Sequence, residues 1–484
     1  MGDRFEKFGE VVCDECGFCK GKKGFLCDNA RGKLRSYSGI RLTSDGFDCA
    51  LPVTIDSHSM CSYACSYCFS EQLAGHVASK EKPIGQMSLK QLENIFSGKG
   101  GKMGGIIRKA LKYDNRNSGG FPCPVQLGGI NDPCDNIERQ QGWLLEFMRL
   151  AIKYSQPVRI STKGTLLREK DYLKMLSKAP HLFWVAFSIN TIDDERAARV
   201  DIRAPAPSDR LKTMKVLSEE LGIKTSLRCR PIYPGLTDST PKHPQAWKEL
   251  LDRAKEAGAY AISYECGFVP MRFTKVQQKK WENMEKVLGV PLKRVYKELG
   301  KSQVCLRPSY LWVEQIMHAI KERAVENGLQ VGVSDPCWKQ LSQHGCCCGI
   351  PPDDEVFGNW ERENATNAVV KARDAKKDKD RVIRLKDIIP EWAYDTLMSS
   401  MCNMGAGPKT VFAKRHFTWA DKLKEIWNDP GAQRSPLHYF QGALQPEMLD
   451  EELVYRYIGL KRAYPSKTPF WKIGSGYGQG KGER

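Results

Sequence analysis

The chain has 484 residues, 41% hydrophobic and 27% charged, with 75 Lys and Arg against 57 Asp and Glu for a net charge of +18. This is ordinary globular composition, long enough for two or three folding units, and no apolar run approaches the ~20 residues of a membrane span. Eighteen cysteines, many tightly clustered, argue for metal or cluster ligation rather than a disulfide framework. The basic excess favours a polyanionic partner, with nucleic acid the obvious one, although a soluble basic surface gives the same count.

The first residues, Met1-Gly2-Asp3-Arg4-Phe5-Glu6, lack the apolar stretch of a signal peptide, and Glu6 stands where myristoylation needs Ser or Thr. A cytoplasmic location without a membrane partner is the expectation. Residues 1–45 form a Cys-rich, basic segment in which Cys13, Cys16, Cys19 and Cys27 are spaced C-x2-C-x2-C-x7-C. Three thiols at i, i+3 and i+6 are like a ferredoxin loop, and four thiolates also suit tetrahedral zinc.

From residue 46 to 335, short apolar runs alternate with amphipathic stretches, which predicts parallel βα units. Strands are predicted at 50–55, 124–129, 158–162, 183–189, 224–229 and 259–264. Helices are predicted at 140–154, 169–177, 208–221 and 244–257. Six such units make a partial (β/α)6 barrel of the TIM type, about three quarters of a closed (β/α)8 barrel, with functional groups gathered at the C-terminal ends of the strands. The Gly- and Lys-rich stretch 98–120 has no phosphate-loop pattern and is read as a flexible loop.

The first strand runs straight into Met60-Cys61-Ser62-Tyr63-Ala64-Cys65-Ser66-Tyr67-Cys68-Phe69. Its spacing is C-x3-C-x2-C. Three thiolates on one short loop can hold three irons of a [4Fe–4S] cluster and leave the fourth open. Structural zinc usually takes four ligands, and His76 is the nearest further candidate after Cys68.

Residues 336–484 make a C-terminal region. It carries Cys337 and the run Cys346-Cys347-Cys348 beside His344, then alternating charges at 371–387. Trp, Tyr and Phe interleaved with Lys and Arg follow at 391–471, and a Gly- and Lys-rich tail starts at Ile473. Consecutive cysteines pair poorly with one another, so metal binding is again the better reading. Basic-aromatic segments can stack bases and hold phosphates, although core packing explains most such aromatics.

The C-x3-C-x2-C loop resembles the signature of the radical S-adenosylmethionine (radical SAM) enzymes. Further segments resemble one branch, the spore photoproduct lyases and DNA repair photolyase-like proteins. They are Ala64 to Phe69, Leu127 to Pro133 with Ile137-Glu138, Thr162-Lys163 with Leu167-Arg168, and Phe187 to Thr191. Arg203 to Pro207 with Arg210-Leu211, and Pro231 to Asp238, complete the set. The resemblance spans roughly 55–238. It implies a cluster on Cys61, Cys65 and Cys68 that binds S-adenosylmethionine (SAM) and cleaves it, after one-electron reduction, to a hydrogen-abstracting 5′-deoxyadenosyl radical. It implies SAM contacts at Gly128, Gly129, Lys163, Ser188, Asn190 and Arg203, and a one-electron reductant such as flavodoxin or ferredoxin. One or two auxiliary [4Fe–4S] clusters, or zinc, would use the remaining cysteine groups. Gly129 stands where spore photoproduct lyases carry their hydrogen-donor cysteine, so Cys134 and Tyr67 become the candidate catalytic side chains. That departure favours modification of a DNA base over lesion repair. Radical chemistry on a peptide or small metabolite, and a non-enzymatic iron–sulfur redox protein, are the competing classes.

Overall fold

The computed structural model describes residues 35–37, 39–42, 49–72, 85–113, 120–270, 275–292, 296–297, 305–308, 310–358, 360, 362–397, 417–432, 435–440 and 442–459. Cys13, Cys16, Cys19 and Cys27, and the tail from Ile473, lie outside the described residues.

The centre is an eight-stranded sheet: β1 (Ile40–Leu42), β2 (Val53–Ile55), β3 (Val125–Leu127), β4 (Val158–Thr162), β5 (Phe183–Ser188), β6 (Lys224–Ile232), β7 (Ala259–Cys266) and β8 (Gln330–Val333). Spatial order follows chain order throughout, and only the edge pair β1–β2 is antiparallel. The six predicted strands are present as β2 to β7, and β8 adds a seventh parallel strand. The ladder is open, ending at β8 and β1. Four of the connecting helices match the predicted ones: Trp143–Lys153, Lys170–Leu176, Pro207–Leu221 and Ala246–Glu256. The first is preceded by the short helix Asn136–Gln141, and Gly142 at φ +60° breaks the two apart, a left-handed conformation that glycine adopts without strain.

The two faces of the sheet differ in chemistry. Val53, Ile55, Val125, Leu127, Val158, Ile160, Val185, Phe187, Leu227, Ile262, Val331 and Val333 lie at 0–1% exposure in one core with the helices. Burying each such side chain contributes about 1.5–3 kcal/mol before chain entropy is subtracted. The opposite face reads, in cross-strand register, Arg41, Thr54, Gln126, Arg159 and Trp184, then Ser161, Ala186, Ser226 and Ala261, then Ser188, Arg228, Ser263 and Gly332. A parallel sheet covered by helices on both faces is apolar on both. Here one face is polar or small and lines the functional interior.

At the N-terminal ends of the strands Trp184 fills that interior, donating from Nε1 to Ser226 Oγ at 3.1 Å and meeting Phe357 edge-on at 5.5 Å. Ala50, Leu51, Cys346, Cys347, Cys348 and Ile350 pack around it.

One sequence expectation changes, and the core-packing reading of the C-terminal aromatics is met at four of them. The stretch from Gly98 contains the helix Gly101–Ala110, because Ile107 and Ala110 reach the core and Gly104 lies against Ile95 of the preceding helix Leu89–Phe96. Burial of an apolar stripe outweighs the poor helix propensity of three glycines. In the C-terminal region, Trp392, Trp419, Trp427 and Tyr455 are buried in the same core as the sheet and are not free to stack on bases. Among the described residues no helix is long and apolar enough to cross a membrane.

Gly332 tests the packing of the C-terminal turn on the inner face. A Cβ there would stand 2.3 Å from Gly349 N and 2.5 Å from Cys347 O. Gly332→Ala is expected to lower stability by about 1–3 kcal/mol, read as an earlier urea midpoint with an unchanged slope.

Candidate functional site

The cysteine loop begins where β2 ends, at the C-terminal side of the parallel strands. Asp56, one residue past the strand, is buried, and its Oδ1 accepts from the backbone of Gly129 (2.7 Å), Ile130 (2.7 Å) and Asn131 (3.3 Å). Its other oxygen pairs with Arg41. One carboxylate thus fixes the turn after β3. Gly128 in that turn has φ +83°, and a Cβ on it would be 2.7 Å from Ser161 O. A Cβ on Gly129 would meet Arg41 Nη2 at 2.6 Å and Thr54 Cγ2 at 2.7 Å. Gly128 requires glycine for its left-handed backbone and its contact with Ser161 O, and Gly129 leaves room for the side chains of Arg41 and Thr54.

The loop is stitched down on both flanks. Ser62 N donates to Asp135 Oδ2 at 2.7 Å, and Tyr63 Oη donates to Cys134 O at 2.7 Å. On the other side Ser66 N donates to Val200 O at 2.8 Å and Arg203 N to Tyr63 O at 3.1 Å. Cys65 is buried in a cluster that includes Tyr63, Tyr67 and Tyr233, and the partly exposed Cys61 and Cys68 pack against that cluster. Burial pushes the Cys61 and Cys65 thiols well up; Asp135 and Asp132 add to it at Cys61, while Lys163 opposes it at Cys65. The bare thiols are therefore neutral, and iron would displace their protons.

Among the described residues no three His, Cys, Asp or Glu side chains converge on a point that could hold one metal ion. A cubic cluster takes one thiolate at each of separate corners, and Cys61, Cys65 and Cys68 offer three thiols on one loop.

Beside the thiols lies a buried charge centre. Lys163, the residue after β4, donates from Nζ to Tyr67 Oη at 2.8 Å and to Asp201 Oδ2 at 2.9 Å. Tyr67 also bonds Asp201, and Asn190 Nδ2 donates to Tyr67 Oη at 2.9 Å. Arg210, from the helix Pro207–Leu221, reaches Asp201 Oδ2 at 2.9 Å and Ser188 O at 2.8 Å. Burial alone would raise the Asp201 carboxyl, but Lys163, Arg210 and the Tyr67 hydroxyl hold it well below the usual carboxylate range. Asn190 Oδ1 is buried with no hydrogen-bond partner, an acceptor suited to the amino group of a ligand.

Asp201, Arg210 as its partner, and Asp56 are absent from the sequence-derived site; a charged residue at the border of an apolar element is the signal that each gives. Cys134 is 1% exposed in the apolar core, its thiol bonded to Thr162. Thr162 in turn donates to Asp132, which also accepts from Lys163 N at 2.6 Å.

At the other end of the sheet interior, Cys49 joins Cys346, Cys347 and Cys348. Cys49 bonds Cys347, and Cys348 bonds both Cys346 and Cys347. All four are free thiols. Cys337 lies in the 3-10 turn Pro336–Leu341, and His344 Nε2 contacts Gln330 Oε1 at 2.8 Å.

No family model matches the chain. Spore photoproduct lyase complexed with dinucleoside spore photoproduct aligns over 60% of this chain and 78% of its own, with 17% identity and a TM-score of 0.42. The chain is similar in structure to that lyase. Streptococcus suis SuiB bound to S-adenosylmethionine aligns over 52% of this chain and 51% of its own, with 14% identity and a TM-score of 0.30. Uncharacterized proteins of Mycobacterium bovis and Mycobacterium tuberculosis are 25% identical over 218 residues, 44% of this chain. The chain spans 58% of the length of these curated relatives.

Removing the shared anion should be severe. Asp201→Asn leaves Lys163 and Arg210 as facing buried cations and is expected to lower stability by about 3–5 kcal/mol, measured by urea unfolding. Glu138 gives a pH test. Its Oε1 accepts from Leu144 N at 2.9 Å and Tyr172 Oη at 2.8 Å while Oε2 is buried without a partner. Burial pushes its carboxyl up to about 8. The unfolded chain ionises near ~4.3, so this group's contribution to stability is full below that pH and is lost as pH rises towards 8. Glu138→Gln is expected to flatten that fall and to exceed the parent in stability at pH 9, read from thermal midpoints across pH 4–9.

Proposed function

We propose that the chain is a radical SAM enzyme acting on a nucleic-acid base, with modification of a DNA base favoured over lesion repair. The observation that carries the reading is the rigid three-thiol loop at the C-terminal end of the first parallel strand, set against the Lys163–Asp201–Tyr67 centre. Cys61, Cys65 and Cys68 would hold a [4Fe–4S] cluster. When bound, the cluster and SAM supply reductive cleavage and a hydrogen-abstracting radical.

The chain's own residues then divide the work. Lys163 and Arg210 outnumber Asp201 in positive charge, so the centre has cationic charge left to face a carboxylate. Asn190 Oδ1 is an open acceptor for an amine. Gly128 and Gly129 present backbone where a side chain cannot fit. Ser188 and Arg203 border the same end of the sheet. Tyr67 bridges the cysteine loop to the charge centre, which supports a positioning role for it. The net charge of +18 supports a polyanionic substrate. Cys134 points into the core, which supports modification, a reaction that needs no hydrogen returned by a cysteine. Cys49 with Cys346, Cys347 and Cys348 is our candidate for an auxiliary cluster, and a flavodoxin or ferredoxin for the electron source.

Anaerobic reconstitution with iron and sulfide, followed by dithionite and SAM, is expected to yield 5′-deoxyadenosine. Yield should rise with DNA over RNA or no substrate, and Cys65→Ala should reduce it to the level of the protein-free control. A fully loaded cluster with no SAM cleavage would refute the radical reading, and cleavage indifferent to every oligonucleotide would refute the nucleic-acid reading.

A further inference from the structure

Three arginines share the inner face of the sheet between the thiol turn at one end and the cysteine loop at the other. Arg159 lies on β4, and Arg228 and Arg230 lie on β6. Arg159 donates from Nη1 to Gln126 Oε1 at 2.7 Å and to Ser161 Oγ at 3.1 Å, while its Nε and Nη2 are buried without a partner at 2% residue exposure. Arg230 bonds Ser263 Oγ and reaches Cys347 O at 3.0 Å through Nη2, and its Nε is unpartnered. Arg228 Nη1 donates to Ser188 Oγ at 3.2 Å. Among the described residues none of the three forms an ion pair with a carboxylate; the acids whose fields reach them are Cys347 and Cys348, then Glu265, at Arg230, and Glu265 and Cys348 at Arg228. Burial, then the like charges of Arg230 and Arg159, pulls Arg228 down to about 10.

Such an arrangement is unfavourable when empty. A buried donor left unmade destabilises the fold, and like charges at close range add to it. An anion with several acceptor oxygens removes both penalties. The layer is also reachable: Gln126, Gly129, Arg228, Arg230, Glu265 and Ser334 are partly exposed, whereas the residues between them on the apolar face are buried. Cys346, Cys347 and Cys348 are 1–6% exposed and back the layer on its closed side, where Arg230 reaches Cys347 O and the fields of Cys347 and Cys348 act on Arg230.

We propose that Arg228 and Arg230, backed by Arg159, form a phosphate-binding site that anchors the phosphodiester of the substrate inside the sheet, beside Ser188. Guanidinium forks match phosphate oxygens in geometry and stay charged on burial. Assigning the phosphate to a nucleotide rests on the nucleic-acid reading above; the anion site does not.

The test is calorimetric titration of the full chain, loaded with iron under argon, with three probes: inorganic phosphate, a thymidine dinucleoside monophosphate, and its uncharged methylphosphonate analogue. The phosphodiester is expected to bind at least about tenfold more tightly than the methylphosphonate, the size of one charge-assisted hydrogen bond. Arg228→Gln with Arg230→Gln should erase that difference. Should the double variant fail to fold, Arg230→Lys, which keeps the charge, should retain most of the discrimination that Arg230→Gln loses. Phosphate binding that disappears in the double variant, without dinucleotide binding, would uphold the anion site and sink the nucleic-acid reading. Equal binding of the two dinucleosides with no phosphate binding would overturn the proposal. So would variants that lose iron while keeping full discrimination, since the arginines would then be balancing a metal centre.

Discussion

The buried carboxylate of Asp201 holds the candidate site together. Lys163 from the end of β4, Arg210 from a helix and Tyr67 from the cysteine loop all converge on it. Arg210 passes the connection on to the end of β5 through Ser188 O. Two cations and a phenol around one anion form a network in which every partner is desolvated. Such a network is stable only when complete, because any missing member leaves an uncompensated buried charge. The loop that bears the thiols is therefore positioned by electrostatics as well as by packing. Asp56 does the corresponding work on the other flank, where three backbone amides after β3 depend on one carboxylate oxygen.

The chemistry of the sheet explains why polar networks gather on one side. Its outer face is a continuous apolar core, so the strands are held by burial and need no help from the interior. That leaves the inner positions free to carry Arg, Ser, Thr and Gln in successive layers. A closely packed apolar plug at Trp184 closes one end, and the cysteine loop and charge centre occupy the other. The three arginines line the interior between them: Arg159 is in register with Trp184 at the closed end, Arg228 bonds Ser188, and Arg230, two residues further along β6, bonds the Cys347 carbonyl.

The C-terminal region packs against both faces of the sheet. Its aromatics build a core shared with the sheet. Its Cys346-Cys347-Cys348 turn inserts against β8, where Gly332 has no side chain to block it.

The sequence alone determined the periodic and local features. Strand and helix positions followed from apolar spacing, the thiol loop from C-x3-C-x2-C, and the placement of that loop at a strand end from direct adjacency. Lys163 and Ser188 entered through the resemblance to the radical SAM branch; their position at strand ends alone would not have singled them out. The helix Gly101–Ala110 was missed because three glycines hide a burial stripe that only neighbouring helices reveal. Tertiary structure decided what local pattern cannot encode: which anion meets Lys163, which thiol joins the C-terminal turn, and which of 75 basic residues face inward. Cys49 and Cys347, or Asp56 and Gly129, are distant in sequence and carry no spacing rule. Their partnership is set by strand register, which only the folded sheet defines.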